Sequence, residues 1–353
     1  MSLIQPLADG PLDIVGDIHG EIGALTALLG HLGYTADGRH PAGRTLVFVG
    51  DLVDRGPDSP AVLEQVSELV RSGRAQCILG NHELSLLRED AKPGNTWWTA
   101  PDKPTAHPMA RIAAARKAPA RAFLAGLPLV LERPDLRIVH ACWHAPAIAA
   151  LREHETSVAD AGELYDYFVQ RTRQEMLDNK FLSFVRREWR VHAPRLEDRD
   201  WTPVFMPGLA ELNTRTQMDN PVAVLTSGIE QPTAEPFWAG GKWRMVERVR
   251  WWERYAEPIP VVVGHYWRRF SAASIVLNDK YGPDLLEGIE PHDWMGRRRN
   301  VYCVDFSVGA RAEQRASGAD LLACRLAALR VPEWCVMHDD GLSVEVGPPG
   351  LAG

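Results

Sequence analysis

Gly50-Asp51-Leu52-Val53-Asp54-Arg55-Gly56 places two carboxylates and one guanidinium within five residues. One carboxylate in such a turn can bridge two metal ions, and the second can support a neighbouring group. The arginine can grip an anionic substrate in bidentate fashion. Four further polar clusters share the pattern: Asp17 and His19 in Gly-Asp-Ile-His-Gly, Asn81 and His82 in Gly-Asn-His-Glu, then His140, then His265 after Gly264. Asp17, Asp51, Asn81, His19, His140 and His265 together, with no thiolate, make a hard-to-borderline N/O donor set suited to Mn²⁺, Fe or Zn²⁺. Six donors are too many for one ion with an open position. Two ions about 3.5–4 Å apart, sharing one carboxylate and a water, would use them all.

Each cluster directly follows an apolar run, at residues 12–15, 45–49, 75–79, 136–139 and 259–263. These runs read as buried strands, and in an open α/β sheet the groups at the carboxyl ends of neighbouring strands converge on one crevice. Between them, Ile22, Leu25, Leu28, Leu29 and Leu32 recur at helical spacing, as do Val62, Leu63, Val66 and Leu69 behind Ser59-Pro60. The first 83 residues are therefore strand, helix, strand, helix, strand, which predicts a mostly parallel sheet. Residues 127–131 and 136–139 flank Arg133-Pro134-Asp135, a hairpin signal. Residues 222–225 and 301–304 are expected to be strands, with more in 321–346. Residues 84–126 are helix-prone but broken by Pro93, Pro101, Pro104, Pro108 and Pro119, and 145–220 suggests helices covering the sheet.

With 353 residues the chain can bury a large core, and 45% apolar with 24% charged residues is ordinary for a globular protein. A formal charge of −7 leaves no footprint for a nucleic-acid polymer. The five cysteines have no metal-site spacing and no even pairing. No apolar run is long enough to span a bilayer and the first residues lack a signal-peptide pattern, so a cytoplasmic protein without a membrane partner is expected. The tryptophans are read as packing groups rather than a base-stacking platform.

Gly-Asp-Ile-His-Gly, Gly-Asp-Leu-Val-Asp-Arg-Gly and Gly-Asn-His-Glu, in this order, resemble the calcineurin-like metallophosphoesterases, most closely the phosphoprotein-phosphatase type. The extension Asp51-Leu-Val-Asp-Arg-Gly-Pro-Asp-Ser59 is similar to bacterial diadenosine tetraphosphate hydrolases and to the phosphatase module of polynucleotide kinase-phosphatases. The likeness is close over residues 12–83 and then reduces to points at 140, 265 and around 305. It implies an α/β fold of two packed mixed β-sheets flanked by helices, one domain over 1–353 with cap insertions at about 84–135 and 145–220. It also implies two divalent ions, most simply Mn²⁺ with Fe or Zn²⁺ as alternatives. Asp17, His19 and Asp51 would hold one, and Asp51, Asn81, His140 and His265 the other. His82 would be the general acid, oriented by Asp54, and Arg55 would bind phosphate while a metal-activated water attacks phosphorus in line. The family usually has glycine after the histidine at 140, where this chain has Ala141. The substrate stays open between a phosphorylated small molecule, a dinucleoside polyphosphate or other nucleotide, a nucleic-acid end, which the acidic balance disfavours, and a phosphoprotein, as for a serine/threonine phosphatase. A metal- or nucleotide-binding regulatory protein is the non-enzyme alternative. Arg244, Arg250 and Arg268 are further arginines without a distinguishing motif.

Overall fold

The computed structural model describes residues 2–100, 109–154, 158–178, 181–270, 282–318 and 321–350. Pro101, Pro104 and Pro108 therefore lie outside the described residues. Two mixed sheets face each other. One has five strands, β1 (Ile4–Pro6), β5 (Val130–Arg133), β6 (Leu136–Val139), β9 (Val261–Val263) and β10 (Val301–Cys303), in that order. The other runs β13 (Ser343–Glu345), β12 (Cys335–His338), β11 (Ala327–Val331), β2 (Leu12–Val15), β3 (Thr45–Phe48), β4 (Ala75–Cys77). Strands β2, β3 and β4 are parallel, as their helical crossovers require, while β11, β12 and β13 add an antiparallel meander. The sheet is thus mixed rather than mostly parallel.

The two-residue period of a strand sorts the core into layers. Ile14, Val47 and Val49 from one sheet meet Ile138, Val262, Tyr302 and Val304 from the other in the inner layer. The alternate residues Val15, Phe48, Val263 and Cys303 face outward into a second apolar cluster, shared with the helices. Helix α1 (Ile22–Leu32) stops at Gly33, whose φ of 93° is left-handed. Helix α2 (Ser59–Arg71) starts where the Asp58 carboxylate accepts from Ala61 N, with Pro60 in its first turn. Next come α3 (Asn81–Leu87), α4 (Thr96–Thr99) and α5 (Ala114–Ala125), which runs through Pro119. Then follow α6 (Ala145–His154), α7 (Ala161–Asp178), α8 (Phe181–His192), α9 (Pro207–Met218), α10 (Pro221–Ser227) and, late in the chain, α11 (Arg311–Ser317). Strand β5 lies within the span 84–135, so that span is part sandwich and not only a covering segment.

Two elements depart from expectation. Residues 222–225 are helical, inside α10. The Asn220 side chain accepts from Val222 N and Ala223 N at 3.1 and 3.3 Å, and Pro221 supplies the first-turn φ. An N-cap followed by proline outweighs the two β-branched valines of this apolar run. The second is a hairpin, β7 (Glu230–Ala239) and β8 (Lys242–Arg248), turned by Gly240-Gly241 with φ of 60° and 76°. It shares a separate apolar cluster of Leu196, Met206, Leu209, Ala210, Met245 and Val246 with the region of α8 and α9. Among the described residues no helix is long and apolar enough to cross a membrane.

Candidate metal centre

The predicted polar residues meet between the sheets. Asp17, Asp51 and Asn81 follow β2, β3 and β4 of one sheet, and His140 and His265 follow β6 and β9 of the other. The first two loops are zipped together: Ile18 N and His19 N donate to Asp51 O at 3.0 and 2.9 Å, and Gly56 N donates to His19 O at 2.8 Å. His140 Nδ1 crosses between sheets to donate to Val49 O at 2.7 Å. The non-glycine residues His19, Asp51, Asp54, Arg55, His265 and Trp267 all have left-handed φ, between 46° and 70°. Each costs about 1–3 kcal/mol, and such concentration marks a site held in place by its surroundings. A Cβ on Gly264 would overlap Asp17 Oδ1, and one on Gly80 would overlap Asp51 Oδ1, so the carboxylates sit where only glycine leaves room.

Asp51 stands at the middle. Its Oδ1 lies 3.4 Å from His140 Nε2, while its Oδ2 lies 3.7 Å from His19 Nε2 and 3.9 Å from His82 Nε2. Asp51 is thereby shared by two metal-sized clusters, His19/Asp51/His82 and Asp51/His140/His265. Each histidine is turned by its other nitrogen. His19 Nδ1 donates to Val53 O at 2.9 Å, and His265 Nδ1 donates to Asn81 Oδ1 at 3.0 Å. With Nδ1 protonated, Nε2 carries the lone pair. The Nε2 atoms of His140 and His265 are buried and have no hydrogen-bond partner. Asp17 Oδ2 lies 4.0 Å from His19 Nε2 and accepts from His265 N at 3.1 Å.

The electrostatics call for cations. Burial, then the Asp305 and Asp51 charges, push Asp17 well above the usual carboxylate range. Burial acts against the Asp51 charge as well, but the imidazoles of His140, His82 and His19 outweigh it and hold Asp51 well below that range. His140 resists burial through Asp51 and Asp17 and is lifted to about 10. Burial, followed by Arg55 and His82 for His19 and by Arg248 and His140 for His265, keeps those two rings well below 6.5 and so neutral. Buried carboxylates beside neutral, lone-pair-bearing imidazoles are the donor chemistry that divalent ions fit.

Beside this centre, His82 Nδ1 donates to Asp54 Oδ2 at 2.6 Å. The other Asp54 oxygen accepts from Trp97 Nε1, also at 2.6 Å. Arg55 lies over the Trp267 ring, 4.4 Å from its centroid, and donates to His19 Nε2 at 3.2 Å and His82 Nε2 at 3.3 Å. An ion ligated by His19 would take the lone pair Arg55 now uses, freeing the guanidinium for an anion. Among the described residues Arg55 has no carboxylate within 4.0 Å. These groups form the floor of a cavity of about 800 Å³ whose walls come from α9 and the β7–β8 hairpin.

All nine sequence-predicted residues are therefore brought together, and four neighbours were missed. Asp305 follows β10 by the same strand-end rule, and its carboxylate accepts from Trp267 N at 3.0 Å and Ser307 N at 2.8 Å. Glu83 is the last letter of Gly-Asn-His-Glu. Its buried carboxylate accepts from Gly80 N, Asp51 N and Leu52 N at 2.8–3.0 Å, tying β3 to β4. Trp97 and Arg248 have no local signal, because they reach the site from covering elements. Arg268 is fully buried and donates to Glu290 O, Pro291 O and Asp293 O at 2.7–3.2 Å, a packing role. Arg244 and Arg250 line the cavity. Trp97, Trp98, Trp251 and Trp252 are buried, as packing predicts, and Trp267 alone of the tryptophans lines the cavity. Ala141, in the place of the family's glycine, is fully buried and donates its N–H to Leu225 O at 2.9 Å without left-handed backbone.

Residues 10–112 match the calcineurin-like phosphoesterase family. Over 177 residues the chain is 33% identical to the asymmetrical bis(5'-nucleosyl)-tetraphosphatase PrpE of Geobacillus thermodenitrificans, covering 49% of this chain and 64% of that protein. It is 43% identical over 81 residues to the symmetrical bis(5'-nucleosyl)-tetraphosphatase of Ralstonia nicotianae, covering 23% of this chain and 26% of that one. The chain thus spans less than two thirds of the length of these relatives. A cold-active protein-tyrosine phosphatase of Shewanella sp. superposes with a TM-score of 0.49 at 14% identity, covering 98% of this chain and 83% of that one, a likeness too distant to add to the fold described above. Over residues 10–112, which carry β2, β3 and β4 with Asp17, His19, Asp51, Asn81 and His82, the chain is similar to the calcineurin-like phosphoesterases.

Proposed function

We propose that the protein hydrolyses a phosphate ester or anhydride with two divalent ions, Asp17, His19 and Asp51 holding one and Asp51, Asn81, His140 and His265 the other. The observation that carries this reading is Asp51, whose two oxygens face separate histidine sets. Mn²⁺ is the simplest occupant for this N/O set, with Fe or Zn²⁺ as alternatives. When bound, the ions supply Lewis-acid neutralisation of the phosphoryl oxygens and a water acidified for attack.

The chain's own groups do the rest. Arg55 takes two phosphoryl oxygens and counters the charge that builds on them. His82, oriented by Asp54, gives a proton from Nε2 to the leaving oxygen once Arg55 has turned to the phosphate. One P–O bond forms to water, the P–O bond to the leaving group breaks, and the water's proton passes to solvent. The regions at about 84–135 and 145–220 act as a cap, with the β7–β8 hairpin completing the wall. A cavity of about 800 Å³ suits a nucleotide-sized substrate better than a folded phosphoprotein. The likeness to bis(5'-nucleosyl)-tetraphosphatases favours a dinucleoside polyphosphate among such molecules.

The test is hydrolysis after chelator treatment and Mn²⁺ addition, comparing an aryl phosphomonoester, an aryl phosphodiester, a phosphopeptide and diadenosine tetraphosphate, with Asp51→Asn alongside. Activity restored by Mn²⁺ and lost in the variant is expected. Two ions bound with no turnover of any compound would instead favour the regulatory metal- or nucleotide-binding protein.

A further inference from the structure

Away from the metal centre, the cavity is walled by an unusual strand. On β8 the two-residue period puts Lys242, Arg244, Val246 and Arg248 on the cavity side. We infer that Arg244 and Arg248 form a second anion subsite that binds a phosphoryl group other than the one being cleaved, which makes linear polyphosphate chains the substrate class. This rests on the phosphoesterase reading above for its catalytic half.

Position supports it. Arg248 lines the same cavity as His265 and Arg55. At about 3.3 Å per residue, the backbone from Arg244 to Arg248 spans about 13 Å, long enough to follow several linked phosphates outward from Arg55. Charge supports it as well. Among the described residues neither guanidinium has a carboxylate within 4.0 Å, whereas neighbouring Arg269 is paired with Asp284 at 3.2 Å. Arg244 donates one N–H to Ala239 O at 3.0 Å, which aims its fork and leaves donors over. Burial, and then the Arg248 charge against the help of Glu230, disfavours the Arg244 cation. A half-buried guanidinium such as that of Arg244, with no carboxylate partner, costs stability that a bound anion would recover.

The acids of the same wall do not supply that anion. Glu247 accepts from Gln231 Nε2 at 2.9 Å within the hairpin, and Glu230, half-buried and opposite Arg248 in the ladder, has no ion pair within 4.0 Å among the described residues. The hairpin is also anchored, with Met245 packed into the cluster beneath, so the subsite is organised before the ligand arrives. Phosphate oxygens match the arginine fork.

The test uses the full chain and two readouts. Calorimetric titration of metal-free protein with inorganic tripolyphosphate and with orthophosphate measures the subsite without turnover. Arg244→Gln and Arg248→Gln are expected to weaken tripolyphosphate binding about ten- to a hundred-fold, the worth of one charge-assisted hydrogen bond, and orthophosphate binding far less. Arg248→Lys, which keeps the charge and the packing, is expected to stay within about fivefold of the parent and guards against a merely misfolded glutamine variant. Diadenosine tetraphosphate titrated in parallel separates a bare chain from one capped by nucleosides, and both are expected to lose affinity in the glutamine variants. With Mn²⁺ present, the ratio of kcat/KM for tripolyphosphate to that for an aryl phosphate is expected to fall by the same factor. Equal losses for tripolyphosphate and orthophosphate, or no loss for either, would overturn the subsite. A parent protein that binds as expected but turns over nothing would overturn the phosphoesterase reading and leave the subsite standing.

Discussion

Asp54→Asn tests the proton donor directly. Asp54 is buried, and one oxygen receives His82 Nδ1–H while the other receives Trp97 Nε1–H, both at 2.6 Å. Asparagine is nearly isosteric, so its carbonyl can keep the tryptophan bond. Its NH₂ then faces His82 Nδ1, which must become an acceptor, and the negative charge that steadied the imidazolium is gone. A charge-assisted hydrogen bond of this kind contributes about 1.5–3 kcal/mol. If that stabilisation is needed only while His82 delivers its proton, the loss is about ten- to 150-fold in rate. The deficit depends on the leaving group. An alkyl phosphate, whose alkoxide must be protonated as it departs, should show all of it, and 4-nitrophenyl phosphate should show less than about threefold. The assay is kcat/KM for both substrates at saturating Mn²⁺, with thermal melting to show that the variant is folded. Equal losses on the two substrates would refute His82 as the acid oriented by Asp54, because they would point to a damaged metal site instead.

Three more outcomes follow from the geometry. Gly264→Ala should displace Asp17, since its Cβ would overlap Oδ1 and meet Val49 Cγ2 at 2.9 Å; calorimetry should find Mn²⁺ binding weakened about 10–100-fold in a protein that still folds. Asn220→Ala removes the cap of α10 and the bond from Nδ2 to Tyr165 O at 3.0 Å, so it should cost about 1–2 kcal/mol, seen as a melting point lower by about 2–6 °C. His338 is held down to about 3 by burial, then by His292 and Arg325, and His292 to about 4 by burial, then by Arg268 and Arg325. Both stay neutral in the fold while the unfolded chain takes protons near pH 6.5, so acidification from pH 7 toward pH 5 should lower the melting point. His338→Gln should flatten that slope, and an unchanged slope would remove this pair as its source.

What can be read from one dimension is what lies close in one dimension. Asp51, Asp54 and Arg55 fall within one turn, and Gly-Asp-Ile-His-Gly and Gly-Asn-His-Glu each follow an apolar run, so the strand-end rule alone assembles Asp17, His19, Asp51, Asn81 and His82. His140 and His265 were legible for the same reason, and Asp305 could have been. Helix α10 shows the opposite case, in which Val222-Ala-Val-Leu225 favours a strand and a single Asn-Pro pair decides otherwise. The β7–β8 hairpin carried its signal in Gly240-Gly241, but its flanking strands alternate arginine and glutamate with apolar residues and do not stand out as core. Tertiary structure alone decided which faces of Asp51 meet which histidines, that Trp97 completes the Asp54–His82 pair from 43 positions away, and that Arg244 and Arg248 look into the same cavity as Arg55. Those relations depend on packing between segments remote in sequence. Local propensity has no term for them, because each partner's side chain is unremarkable until the other arrives.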